Sequence, residues 1–173
     1  KVWDLPVRLM HWSLVVCVFM AWWWRHSNGP WHERFGYAAL AIAGARLVWG
    51  WAGRGYARFG QFVRAPRITW AYARAVAAGQ APRYLGHNPL GGWMVVALLA
   101  CIGLLGFTGW LYNTDQFWGY AWLANLHAGL GWGLCALVGL HLAGVVFTSW
   151  RHRESLVTAM LTGRKAPPAG DDI

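Results

Sequence analysis

The chain has 173 residues, of which 57% are hydrophobic and only 12% are charged. Soluble domains hold about 25% charged residues, and here the apolar residues come in blocks long enough to span a bilayer, so a soluble globular protein is excluded. The net charge of +9 does not indicate nucleic-acid binding, because the arginines lie between the apolar blocks rather than along one helix face.

The apolar blocks predict an all-α integral membrane protein with four transmembrane helices. Pro6, which follows Asp4, is a favourable first-turn residue for the first helix. The third block contains no charge, and the fourth is long enough to project beyond the hydrocarbon core. The helices are predicted over residues 6–24, 31–52, 90–112 and 120–150.

A long polar segment over residues 53–86 separates the second and third predicted helices. It holds six arginines and is too polar to span, and the amphipathic stretch ITWAYARAVAAG within it is predicted to lie in the membrane interface. Residues 1–165 are therefore predicted to form one domain. The tail over 166–173, APPAGDDI, is predicted to be disordered.

The distribution of lysine and arginine predicts how the helices are oriented. The N-terminal residues, the 53–86 loop and the residues after Trp150 hold twelve of the 15 basic residues, whereas the two short connections hold only Arg25 and Arg34. Basic loops tend to stay on the cytoplasmic side of a membrane. Both termini and the 53–86 loop are therefore predicted to be cytoplasmic, with the four helices forming a bundle.

Four histidines fall inside the predicted helices, where ionisable residues are costly and point to function. His127 and His141 are 14 residues apart in the fourth helix, which places them on nearly the same face and about 21 Å apart along its axis. His32 lies at the outer end of the second helix, and His11 lies near the inner end of the first. By depth, His32 therefore pairs with His127, and His11 pairs with His141.

Each histidine pair is predicted to supply the two axial ligands of one haem iron, since imidazole is an established haem ligand. When both axial positions are filled by the protein, the iron is suited to electron transfer rather than to oxygen chemistry. The chain has no CxxCH sequence for covalent haem attachment. Two b-type haems are therefore predicted, one towards each side of the membrane.

Three further features bear on these predicted sites, and each has two interpretations. Arg46, 14 residues after His32, either pairs with a propionate of the inner haem or extends to the interface. His87 either replaces His11 as a ligand of the inner haem or protonates a bound quinone. Five glycines beside His127 and His141 either admit a flat ligand or pack helix against helix. These are Gly129, Gly131, Gly133, Gly139 and Gly144.

The same segments carry a family resemblance over almost the whole chain. The sequences concerned are VWDLPVRLMHW, HERFGYAALAIAGARLVWGWAG, GHNPLGGWM, LHAGLGWGLCALVGLHLAGV and SLVTAMLTGRK. Together they resemble the bacterial di-haem cytochrome b family, which includes the b-type cytochrome subunits of nickel-iron hydrogenases and bacterial cytochrome b-561. The resemblance implies haem ligation by His11 with His141 and by His32 with His127, as the depth pairing also predicts.

The resemblance also implies a function in the bacterial inner membrane. The favoured hypothesis is an electron-transfer subunit that passes electrons through two haems between the quinone pool and a redox partner, such as a hydrogenase or a cytochrome c. A second hypothesis is a self-sufficient enzyme that oxidises superoxide and reduces ubiquinone, with a cationic outer pocket around Arg25, His26 and Arg34. A third is a membrane anchor that only tethers a partner.

Overall fold

The computed structural model describes residues 2–27 and 29–167, and all regular structure in these ranges is helical. The predicted all-α class is thereby confirmed. The α-helices are α1 (Leu5–Trp23), α2 (Trp31–Ala52), α3 (Phe59–Phe62), α4 (Pro66–Ala77), α5 (Pro89–Tyr112), α6 (Ala121–His152) and α7 (Leu156–Thr162), and a 3-10 turn covers Gly55–Ala57.

The four long helices, α1, α2, α5 and α6, lie where the apolar blocks predict them. Their ends differ from the predicted ends by no more than two residues. Helix α4 occupies the stretch that is predicted to be amphipathic. Residues 166 and 167 have no regular structure, and the rest of the predicted disordered tail, 168–173, lies outside the described residues.

Three of the long helices are long and apolar enough to cross a membrane: α1, α5 and α6. Helix α2 has 22 residues and is long enough, but it is not among the candidate spans found in the described residues. Its charged residues Glu33, Arg34 and Arg46, together with its glycines and tryptophans, lower its mean hydropathy. The fourth span therefore stays a prediction.

Side-chain caps explain where two of these helices begin. The Asp4 carboxylate accepts a hydrogen bond from the Val7 backbone N–H at 2.9 Å, and the Asn88 side chain accepts one from the Gly91 N–H at 2.7 Å. Such caps satisfy N–H groups that the first turn of a helix leaves without a partner. The start of α1 and the start of α5 are therefore encoded by these two residues.

The chain folds into two compact units, and each long helix contributes a section to both. The hairpin unit comprises residues 9–47 and 97–139, each segment being a helix, a short loop and a helix. The terminal unit comprises, of the described residues, 2–8, 48–96 and 140–167.

Small residues and aromatic rings pack the hairpin unit. Ala39 and Ala43 of α2 are buried, and a Cβ placed on Gly106 of α5 would come within 2.8 Å of the Leu40 methyl groups. The rings of Trp22 and Trp132 meet edge to face with 4.9 Å between centroids. Small residues let membrane helices approach closely, and here the Leu40 side chain of α2 packs against the backbone of α5 at Gly106.

Polar contacts tie the ends of the chain together in the terminal unit. The Arg8 guanidinium donates to the backbone carbonyls of Met160 and Leu161 in the last turn of α7, where a cation also complements the helix dipole. Asp4 accepts a hydrogen bond from the Trp49 indole at 2.9 Å. The unit is thus held by charged and hydrogen-bonding groups in addition to apolar packing.

Candidate functional site

Two of the predicted ligands, His32 and His127, lie side by side in the hairpin unit. His32 is in the first turn of α2, and His127 is in the second turn of α6. Their ring centroids are 5.9 Å apart, and the rings are inclined at 81°. Both side chains are half-buried. The structure therefore brings together one of the two pairs that the sequence predicts.

The tautomer of His32 follows from the partner of its Nδ1 atom. That atom lies 2.8 Å from the carbonyl oxygen of Ala21, in the last turn of α1, where carbonyls lack helical partners. A carbonyl oxygen can only accept, so Nδ1 carries the proton and donates it. The other ring nitrogen, Nε2, is left with a lone pair that can bind a metal.

His127 reaches the same tautomer through a hydroxyl relay. Its Nδ1 lies 2.9 Å from Oγ1 of Thr108, which itself lies 2.8 Å from the Leu104 carbonyl oxygen. Because the threonine proton is donated to that carbonyl, Oγ1 accepts the Nδ1 proton of His127. Thr108 is only 4% exposed, so water does not compete for this contact, and Nε2 of His127 is also free to ligate.

The pair has the chemistry and the spacing of axial haem ligands. A metal held between two imidazoles would place their ring centroids roughly 6 Å apart, since each metal–nitrogen bond would be about 2 Å and each centroid lies about 1 Å beyond its nitrogen. A second hydrogen bond from the ligating ring is the usual arrangement at metal sites. Two imidazole nitrogens are a donor set that suits a metal already ligated by a macrocycle. Within the described residues there is no group of three or more His, Cys, Asp or Glu side chains that could hold an ion.

A glycine of α5 makes room for the His127 ring. A Cβ placed on Gly109 would lie 3.2 Å from Cε1 of His127, closer than an ordinary carbon–carbon contact. Helix α5 therefore supplies both the hydroxyl that orients this ring and, one residue later, the space that the ring occupies.

The five glycines singled out in the sequence are arranged differently from Gly109. A Cβ placed on Gly131 would lie 3.7 Å from the Trp22 ring. A Cβ on any of the other four would have no described atom within 4 Å; these are Gly129, Gly133, Gly139 and Gly144. Gly131, four residues after His127, is on the same helix face as that predicted ligand. The other four are exposed, and their surroundings show no close helix–helix contact.

The second predicted pair, His11 and His141, is divided between the two units. His11 belongs to the hairpin unit, where its ring meets the Trp12 ring edge to face at 5.1 Å. His141 belongs to the terminal unit and is half-buried. Their pairing stays a prediction.

His87, the alternative ligand or quinone residue, lies between two aromatic rings of the terminal unit. Its ring centroid is 4.7 Å from that of Trp3 and 4.9 Å from that of Phe62. It immediately precedes Asn88, the cap of α5. These contacts give His87 a packing role at the start of α5, whichever further role it has.

Arg46 is the only buried basic side chain in the part of the chain that the structure describes. It is 6% exposed and lies in the α2 section of the hairpin unit. An arginine that extends to an interface keeps its guanidinium in water. The burial of Arg46 therefore disfavours the interpretation in which it extends to the interface.

Thr108 and Gly109 were not anticipated from the sequence. The available signal was that Thr108 is the only serine or threonine between residues 89 and 112. A lone hydroxyl in an apolar helix often bonds to a neighbouring helix. Identifying its partner as His127 required the register between α5 and α6, which no periodicity in either helix encodes.

Comparison with known proteins identifies the family. No curated protein and no solved structure matches the chain. The family model described as prokaryotic cytochrome b561 matches residues 2–163, nearly the whole sequence. The resemblance noted in the sequence is thereby confirmed. The chain belongs to the prokaryotic cytochrome b561 family, and it is a membrane protein that binds b-type haem and takes part in electron transfer.

Proposed function

We propose that the chain transfers electrons across a bacterial inner membrane through two b-type haems, each held by two histidines. The observation that carries this proposal is the His32–His127 pair, with rings 5.9 Å apart. Both Nδ1 atoms are engaged by hydrogen-bond partners, so both Nε2 atoms can ligate. A bound haem supplies one-electron redox chemistry.

The second haem is assigned to His11 and His141. The assignment rests on the 14-residue spacing of His127 and His141, which puts both on one face of α6 at different depths. The buried Arg46, 14 residues after His32 and so on a similar face of α2, is assigned to a propionate of this haem. Two sites at different depths would form a path through the bilayer.

The role of the surrounding residues is to hold the proposed ligand imidazoles in place, and they take no part in the redox reaction. Ala21 and Thr108 hold the two imidazoles in the Nδ1–H tautomer, which also raises their basicity towards a metal. Because both rings are held before the metal binds, little rotamer entropy is lost on ligation. The proposed topology is a bundle of α1, α2, α5 and α6 with both termini cytoplasmic, as the basic residues favour.

The proposed exchange partners are membrane quinone and a redox protein such as a hydrogenase or a cytochrome c. His87 is the candidate for a quinone site, since it is a titratable group in the terminal unit. The alternative of superoxide oxidation depends on Arg25 and Arg34. Each of these guanidinium groups lies over a tryptophan ring, at 4.2 Å and 5.2 Å from the centroid, so both are engaged by the chain itself and lend the superoxide hypothesis no support.

Haem content per chain tests the proposal. Wild-type protein in detergent is expected to contain two b-type haems, low-spin when oxidised and unreactive to carbon monoxide when reduced. The H127A variant is expected to contain one. The H26A variant is a matched control, because His26 is an exposed histidine of the loop after α1, and it should keep both haems.

Three results would contradict the assignment. Two haems in H127A would mean that another residue is the ligand. Loss of haem in H26A would mean that haem loss does not report ligation. No haem in the wild type, with α-helical circular dichroism intact, would leave only the membrane-anchor hypothesis.

A further inference from the structure

The loop between α2 and α5 carries an unbalanced positive charge. Residues 53–86 contain six arginines and no aspartate or glutamate. In the described ranges, Arg83 is the only one of the six in an ion pair, with Glu154 at 3.2 Å. The loop therefore carries several cations that no ion pair within the described residues neutralises.

Helix α4 is fixed to the terminal unit by one face. Tyr72 on this face is 7% exposed, and its ring meets that of Tyr84 edge to face at 5.4 Å. Burial and the nearby Tyr84 raise the pKa of Tyr72, and Arg151 and a hydrogen bond to Asn88 oppose this. The neutral Tyr72 side chain thus packs against Asn88, the cap of α5. It forms the buried side of the amphipathic helix α4.

The opposite face of α4 is exposed and combines two cations with an indole. Arg67, Trp70 and Arg74 follow one another at spacings of three and four residues, which places them on one stripe. Both arginines are exposed, and the Trp70 side chain is 69% exposed. A large exposed indole between two arginines is costly in water but is the usual composition at a membrane interface.

A contact with α5 fixes the depth of this stripe relative to the membrane helix. The Trp93 indole donates a hydrogen bond of 3.0 Å to the Arg64 carbonyl, two residues before α4 begins. Trp93 is the fifth residue of α5, the most apolar of the candidate spans. The chain leading into α4 is therefore held at the first turns of a membrane helix, where head groups lie.

We propose that the stripe formed by Arg67, Trp70 and Arg74 binds the head groups of anionic phospholipid on the cytoplasmic side. The two guanidinium groups would bind phosphate, and the indole would lie among the glycerol and acyl-chain carbons. A lipid fits better than a soluble protein partner, because Trp70 has an apolar ring to bury and the contact with Trp93 keeps the stripe near the bilayer surface. The negative potential of the cytoplasmic leaflet supplies the complementary charge.

Native mass spectrometry of the intact haem-loaded protein tests this inference. Protein equilibrated with equal amounts of phosphatidylglycerol and phosphatidylcholine should retain the anionic lipid preferentially. Each basic residue near an anionic surface contributes about fivefold in partitioning, so R67Q/R74Q should lower the ratio of bound phosphatidylglycerol to phosphatidylcholine roughly thirtyfold. The control R25Q/R34Q removes the same charge from exposed arginines outside this loop and should leave the ratio within about twofold of wild type.

The haem content of each variant verifies that it has folded, and salt provides a test that needs no variant. Wild-type preference for phosphatidylglycerol should fall as ammonium acetate is raised from 50 to 500 mM, because exposed charges are screened. The inference is overturned if R67Q/R74Q retains wild-type preference or if R25Q/R34Q loses as much. It is also overturned if wild type shows no salt-dependent preference or if millimolar inorganic phosphate abolishes it, since the site would then bind free anions.

Discussion

The His32–His127 pair of the hairpin unit and His87 of the terminal unit have different surroundings. In the hairpin unit, His32 and His127 each have Nδ1 in a hydrogen bond, at 2.8 Å and 2.9 Å, and their ring centroids are 5.9 Å apart with the ring planes inclined at 81°. In the terminal unit, His87 lies against the rings of Trp3 and Phe62. A ring held at one nitrogen keeps the other for a metal, whereas the tilted and edge-to-face ring contacts of His87 serve packing.

The two units also differ in how they use glycine. In the hairpin unit, Gly109 makes room for a side chain, the His127 ring. In the terminal unit, a Cβ on Gly92 would lie 2.5 Å from the backbone carbonyl oxygen of Phe62. Side chains can shift by a few tenths of an ångström more easily than backbone can. Replacing glycine by alanine should therefore lower stability at Gly92 in the terminal unit, and should disturb the proposed haem site at Gly109 in the hairpin unit.

The largest effect is expected for G92A. Its added methyl group has no space beside the Phe62 carbonyl, so α5 and the segment before α4 must separate. Overpacking of this kind costs about 3 kcal/mol. The measurement is the midpoint of thermal unfolding, followed by circular dichroism in detergent. G103A in the same helix is the control, because no described atom lies within 4 Å of its Cβ position; equal midpoints for the two variants would contradict the close contact.

The next largest effect is expected for T108V, which keeps the shape of Thr108 but removes the acceptor for His127. Loss of a hydrogen bond from a ligating imidazole lowers its basicity and disfavours oxidised iron. The midpoint potential of one haem should therefore rise by about 59 mV, which corresponds to a tenfold change in a one-electron equilibrium. Redox titration of the purified protein measures both haems separately.

T108S separates the hydroxyl from the methyl group of Thr108. Serine can make the same relay to Leu104, so T108S should restore the wild-type potential even if the lost methyl group lowers stability. If T108V contained two haems at wild-type potentials, Thr108 would not orient a ligand, although bis-histidine ligation itself would stand. If T108V lost one haem outright, the hydroxyl would be needed for binding rather than for tuning.

A smaller effect is expected for G109A. Its methyl group would meet Cε1 of His127 at 3.2 Å, so the imidazole must rotate or move slightly. We expect two haems, with the low-spin signal of one shifted in the electron paramagnetic resonance spectrum and the unfolding midpoint nearly unchanged. G103A again serves as the control. A spectrum identical to wild type would mean that the ring has more freedom than the contact implies.

The helices were predictable from the sequence, whereas the surroundings of the ligands were not. Blocks without charge, such as residues 90–112, specify a membrane helix by composition alone. His32 and His127 could be paired by depth because helical rise is constant. The partners of their Nδ1 atoms could not be predicted, because the Ala21 carbonyl has no side-chain signature and Thr108 is one hydroxyl whose partner depends on helix register.

The smallest effect is expected for H87F. Phenylalanine keeps a flat ring against Trp3 and Phe62, so the packing at the start of α5 should persist, with a change in unfolding free energy within about 1 kcal/mol. If His87 serves packing or a quinone rather than ligation, the variant contains two haems with unchanged spectra. H141A, by contrast, should lose one haem. If H87F lost a haem and H11A kept two, the ligand of the second haem would be His87 rather than His11. His87 would then not serve packing alone. Two haems in H87F with slower reduction by quinol would instead place the quinone beside His87.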